Sequence, residues 1–263
     1  SLQSLVAATT ATAKQTTTFA PTAALFQSQP GTSTPASGPS AFPSWGFATS
    51  DGNQAAVALT SNNTGTNGRY QRTTKAIAYL DSTPAVAQEY SVDSWQSDGL
   101  TLSSSPGTGF AMAAFGGCSA ASGNTTQPVA TGTQTITTGI KTRLFLVLSY
   151  GATASTSVRT DESAISWGMS DGTRQAGYWT SEDASGSPLH GARDLSNADA
   201  LLFAIPAGGS SSLHSRAQVT DFDPIAGTVT LNWSVVDGTA RQFVWLAIGE
   251  PVGGDPPVAY EDP

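Results

Sequence analysis

Apolar residues in this chain recur with a period of two, in short runs closed by glycine, proline, asparagine or aspartate. Val229, Leu231 and Trp233 alternate with Thr228, Thr230 and Asn232, the pattern of a strand with one buried face. Leu144 to Leu148 is apolar at every position, as a strand covered on both faces would be. In Ser44-Trp45-Gly46-Phe47 and Ser166-Trp167-Gly168-Met169 the large side chains stand two apart on one face, with Ser and Gly on the other. Asp51-Gly52 and Asp171-Gly172 follow these runs, and each predicts a two-residue hairpin turn. A 3.6-residue period is missing, although Asp194 to Leu202 leaves room for a helical turn or two.

The Trp-Gly element occurs twice, and so does its setting. The interval from Asp51 to Asp171 also separates Gly31 from Gly151, the residues that end the preceding strands Thr22–Gln27 and Thr142–Leu148. Downstream, Lys75–Leu80 answers Asp199–Ile205, Ser94–Leu102 answers Asp221–Trp233, and Phe110–Gly116 answers Phe243–Gly249. The chain therefore reads as all-β, with two tandem antiparallel β-sandwich (jelly-roll-like) domains arising from an internal duplication. The expected organisation is an extended N-terminal arm over 1–14, repeat 1 over 15–117, a linker over 118–133, repeat 2 over 134–250 and a Pro-rich C-terminal tail over 251–263. The arm and tail are expected to strap onto neighbouring chains.

Composition narrows the function classes. Charged residues are only 11%, and 11 basic against 19 acidic residues give a net charge of −8. That balance argues against a nucleic-acid surface, which needs clustered Lys and Arg, and against docking on anionic lipid. No apolar run is long enough for a membrane helix, and Ser1–Ala8 lacks the basic region of a signal peptide. Cys118 is the single cysteine, so no intramolecular disulfide is expected.

Candidate chemistry is sparse. His190 and His214 are the two histidines, and neither adjoins a nucleophile elbow or a metal-ligand set. The acid pairs Asp161-Glu162, Glu182-Asp183 and Asp221/Asp223 fall in predicted loops or turns. A glycosidase would need two of them, such as Glu162 and Glu182, in one cleft. Asp221 and Asp223 lack the spaced pattern of a dedicated calcium loop. The expectation is no enzyme, no catalytic residue, no metal and no cofactor. Trp45, Trp167, Trp233 and Trp245 fit core positions, which leaves Trp95 and Trp179 as the rings for glycan or partner contact.

Three features recur in a fixed order. A Trp-Gly strand leads into a Ser-Asp-Gly hairpin that ends on Gln (Gln54, Gln175). Asp98-Gly99-Leu100-Thr101-Leu102 or Gly227-Thr228-Val229-Thr230-Leu231-Asn232-Trp233 comes next, then a closing Leu246-Ala247-Ile248-Gly249 that the first copy holds as Ala113-Ala114-Phe115-Gly116. This order resembles a domain repeated in structural proteins of tailed bacteriophages, the minor tail and tail-fibre proteins. The resemblance implies a non-enzymatic virion component, assembled in the bacterial host cytoplasm, that packs with other virion proteins and as a homo-oligomer, a trimer being favoured. It transfers no catalytic residue. The alternatives are a capsid-decoration or head-fibre protein, or an adhesin module that binds a host-surface glycan.

Overall fold

The computed structural model describes residues 2–5, 12–28, 40–41, 44–62, 67–81, 83–104, 110–153, 157–160, 162–183, 191–196 and 214–252. Among them there are twenty strands and no helix. All pairings between strands are antiparallel.

Four sheets are formed, two from each half of the chain. Sheet I runs β2 (Thr12–Thr16), β10 (Gly99–Ser104), β9 (Val86–Gln96), β8 (Ile77–Leu80). Sheet II runs β1 (Leu2–Leu5), β11 (Phe110–Gly116), β3 (Pro21–Ser28), β5 (Ser44–Thr49), β6 (Gln54–Asn62), with β4 (Ser40–Ala41) and β7 (Gly68–Arg72) both paired to β6. Sheet III runs β12 (Ser119–Thr126), β20 (Gln242–Pro251), β14 (Ile140–Ser149), β15 (Glu162–Ser170), β16 (Gln175–Asp183), β17 (Gly191–Ser196). Sheet IV runs β13 (Gly132–Thr137), β19 (Thr228–Val235), β18 (Arg216–Asp223). Place for place, β1-β11-β3-β5-β6-β7 matches β12-β20-β14-β15-β16-β17, and β2-β10-β9 matches β13-β19-β18. The expected partner of β8, Asp199–Ile205, lies outside the described residues.

Several segments differ from the sequence expectation. Leu2–Leu5 and Thr12–Thr16, read as an arm, pair with β11 and β10 of the same chain. Most of the expected 118–133 linker is strand: β12 lies along β20, and Gly132 opens β13 opposite Trp233. Ser-, Thr- and Ala-rich segments show no apolar alternation, so backbone pairing at a sheet edge leaves no pattern to read. Gly191–Ser196, partly assigned to a helical turn, is strand paired with β16. Pro251 of the expected tail closes β20 opposite Ile140, and the tail from residue 253 onward lies outside the described residues.

Strand alternation then sorts the side chains into three apolar layers. Phe26, Tyr90, Leu100, Leu102, Phe110 and Met112 fill the space between sheets I and II. Phe145, Val147, Val229, Leu231, Trp233, Phe243 and Trp245 do the same between sheets III and IV. The third layer joins the halves. Phe47, Val57 and Leu59 from sheet II meet Leu148, Ile165, Val244, Leu246 and Ile248 from sheet III. This explains β14: Phe145 and Val147 face sheet IV, while Leu144, Leu146 and Leu148 face sheet II. It also places two tryptophans. Trp45 and Trp167, read as core, are half-buried against the seam between halves.

Polar fastenings line the seam. Thr49 Oγ1 and Ser122 Oγ are 2.7 Å apart, Gln71 Nε2 donates to Gln242 Oε1 at 2.8 Å, and Arg69 Nη1 donates to Tyr150 O at 3.1 Å. Arg69 and Arg159 also exchange both backbone hydrogen bonds, at 2.9 and 3.0 Å. Each such bond contributes about 1 kcal/mol net, whereas each fully buried Leu, Val or Phe contributes about 1.5–3 kcal/mol. The apolar layer dominates the attachment, and the hydrogen bonds fix its register.

Candidate functional site

The two Ser-Asp-Gly hairpins are the elements on which a surface cleft and the sheet-to-sheet ties are built. Neither is the two-residue turn that Asp-Gly predicts. The last pairs are Ala48 with Gln54 and Ser170 with Gln175, which leaves longer loops between them. Gly52 and Gly172 have φ of 93° and 85°, while neither aspartate takes a positive φ. The aspartates act through their side chains instead. Asp51 Oδ1 accepts the Asn53 amide at 3.1 Å, and Asp171 Oδ1 accepts the Thr173 and Arg174 amides at 2.8 and 2.6 Å. A carboxylate that caps its own turn removes the need for a second left-handed residue.

The glutamine that ends each hairpin reaches across to the facing sheet. Gln54 Oε1 accepts the Val92 amide at 2.9 Å, and Gln175 Oε1 accepts the Val219 amide at 2.8 Å while its Nε2 donates to Val219 O at 3.2 Å. In both sheets the next residue is bulged out of register: pairing skips Asp93 on β9 and Thr220 on β18. A bulge frees a backbone amide, and the glutamine supplies its missing partner. The recurrence of Gln54 and Gln175 in sequence was the signal for this tie, although it did not reveal the partner.

In the second half a cleft of about 310 Å³ opens beside the Asp171-Gly172 turn, lined by Lys141, Arg143, Asp171, Asp221, Phe222 and neighbouring threonines. Glycine is favoured at 172 because its φ of 85° strains other residues, and a Cβ would stand 3.0 Å from the Phe222 ring. The register shift between Thr142 and Leu144 lets Lys141 and Arg143 both approach Glu250, at 3.3 and 3.1 Å. Lys141, Arg143 and Asp171 of the cleft are committed to partners. Hydrogen bonds from Lys141 and then Arg143 hold Glu250 below the usual carboxylate range, and the Arg174 and Thr173 amides do the same for Asp171. On the neighbouring turn, Asp223 is lowered by the amides of Ala226 and Ile225. These carboxylates favour the charged form, the opposite of what a proton donor needs.

His214 sits in a second polar cluster. Its Nδ1 accepts from Arg241 Nη2 at 2.9 Å and lies 3.3 Å from Asp237 Oδ2. Arg241, 9% exposed, also pairs with Asp237 Oδ1 and donates Nε–H to Gly151 O at 2.9 Å. Burial, then the Arg241 charge, lowers the His214 pKa against the opposing pull of Asp237. Burial raises the Asp237 pKa, but hydrogen bonds from Arg241 and the Thr239 amide outweigh it and leave the group below its ordinary value. The cluster ties the β19–β20 connection to Gly151.

The other sequence candidates are scattered. His190 and Asp161 lie outside the described residues. Glu162 stands opposite Asp183 in the register of β15 and β16, and Glu182 stands opposite Ser163, so Glu162 and Glu182 take alternate places. Trp179 is 7% exposed, and Trp95 is half-buried against the core between sheets I and II. The two rings lie in different sheets, III and I, with sheet II between them. Cys118 packs at the seam, its Sγ 3.4 Å from Thr22 Oγ1. Among the described residues no group of three or more His, Cys, Asp or Glu is placed to hold a metal.

Compared with protein-family models, with curated proteins and with solved structures, the chain finds no match in any of the three.

Proposed function

We propose that the chain consists of two tandem antiparallel β-sandwiches of one jelly-roll-like plan, arisen by duplication, and that it is a non-enzymatic structural component of a tailed-bacteriophage virion. Its place would be the tail, baseplate, fibre or capsid surface, where it packs with copies of itself and with other virion proteins. The observation that carries this reading is the seam. Phe47, Val57, Leu148, Val244 and Leu246 join the two inner sheets into one apolar layer, so that four sheets form a single block. Such a block resists bending between its halves and suits a load-bearing part. The matching strand order and the repeated Gln54 and Gln175 ties support the duplication.

Purified particles of the encoding phage should contain the chain in multiple copies, as measured by quantitative mass spectrometry. Complete infectious particles without it would contradict the reading.

A further inference from the structure

The seam is made from unlike surfaces. Sheet II offers β3, β5, β6 and the Phe115 end of β11 to it, whereas sheet III offers β12, β20, β14 and β15; β16, which holds the place of β6, adds no residue to the layer. The pairing of like-built sheets is therefore heterologous, and a heterologous contact leaves one copy of each surface unused. Register identifies the unused donor face. Trp45 pairs with Val57 and Phe47 with Ala55 in sheet II, while Trp167 pairs with Tyr178 and Met169 with Ala176 in sheet III.

Three of the first set are covered, Phe47 and Val57 at 0% exposure and Ala55 at 3%, while Trp45 is half-buried. In the second set Met169 is 38% exposed, and Trp167, Ala176 and Tyr178 are only half-buried, the two rings lying 6.0 Å apart. This open face is continuous with the seam, since Trp167 belongs to both. Its complement is also present. The places of Val244, Leu246 and Ile248, which cover the first set, are held in sheet II by Ala111, Ala113 and Phe115 on β11; Phe115 already packs on the seam, while Ala111 is exposed and Ala113 half-buried outside it.

We propose that the outer face of β15 and β16 docks on the β11 face of a second copy of this chain, repeating between molecules the contact that joins the two halves. Successive copies then stagger head to tail, giving a ring if the rotation closes and a filament if it does not. The inference rests on the structural-assembly reading above but is tested apart from it.

Sedimentation velocity over a concentration series should show the parent chain self-associating. Met169→Asp blocks the donor face and Ala111→Arg the receiving face, and each variant alone should associate roughly tenfold more weakly or worse. An equimolar mixture should form a 1:1 pair, because one intact donor then meets one intact receiver. Circular dichroism and thermal melts confirm the fold of each variant, and Ala176→Arg replaces Met169→Asp if the latter unfolds. A parent chain that stays monomeric, variants that associate like the parent, or a mixture that forms no pair would each overturn the docking face. None of these outcomes changes the copy number found in particles, on which the virion reading depends.

Discussion

Phe47 and Met169 occupy the same place in sheets II and III, yet one is sealed and the other is 38% exposed. The difference does not lie in strand order, which matches between the halves, nor in the glutamine tie, which both possess. It lies in what each outer face meets. The first half turns β5 and β6 against the second half, which answers with β14, β20 and β12 and leaves β16 outside the apolar layer. Two halves of matching strand order thus present two different surfaces, because a heterologous contact between like parts cannot satisfy both.

That comparison can be broken by substitution. The largest effect is expected at the sealed position: Phe47→Ala should lower unfolding stability by about 3–5 kcal/mol in urea denaturation, since neighbouring strands cannot collapse into the space. The ties should behave alike in the two halves. Gln54→Ala and Gln175→Ala each leave a bulge amide without its partner, with an expected loss of about 1–3 kcal/mol by the same measurement. Strongly unequal losses would show that the two hairpins are not doing the same job.

A smaller effect belongs to the second half. The His214 pKa is lowered on folding, so below its ordinary value of 6.5 the unfolded chain binds the extra proton and stability falls as pH drops. Asp237, also lowered, adds to the fall only below about its ordinary 3.8, with the same sign. Melting temperatures between pH 7.5 and 5 should therefore decline in the parent chain and decline less in His214→Ala. Smallest of all, Met169→Ala should alter stability by less than about 0.5 kcal/mol, because the residue is 38% exposed and belongs to none of the buried apolar layers.

Much of the β architecture was legible in the sequence, and its limits are physical. Leu144 to Leu148 announced a strand covered on both faces, and it separates the seam from the core of the second half. The Trp-Gly strands gave the right face alternation but not the identity of the covering partner, so Trp45 and Trp167 read as core without showing that their core is the seam. Alternation reports that a face is buried and says nothing about what buries it. Ser119–Thr126 escaped because an edge strand of Ser, Thr, Ala, Gly and Asn, held by backbone pairing, side-chain hydrogen bonds and small alanine contacts, carries no alternation of large apolar residues. The Asp-Gly turn misled because aspartate can cap a longer loop as readily as it enters a short one. Of the candidate contacts, Trp179 proves buried and Trp95 leans on a core, while Gln54 and Gln175, whose recurrence was plain, turn out to act on the facing sheet.

Native-state hydrogen exchange on the intact chain tests the central claim most directly. If the seam makes one unit of the two halves, amides of β5 and β6 and those of β14 and β20 should exchange through the same opening. Phe47→Ala should then lower protection in both groups by the same amount. Protection that falls in β5 and β6 while β14 and β20 keep theirs would mean that the halves open independently, and the account of a single block would be wrong.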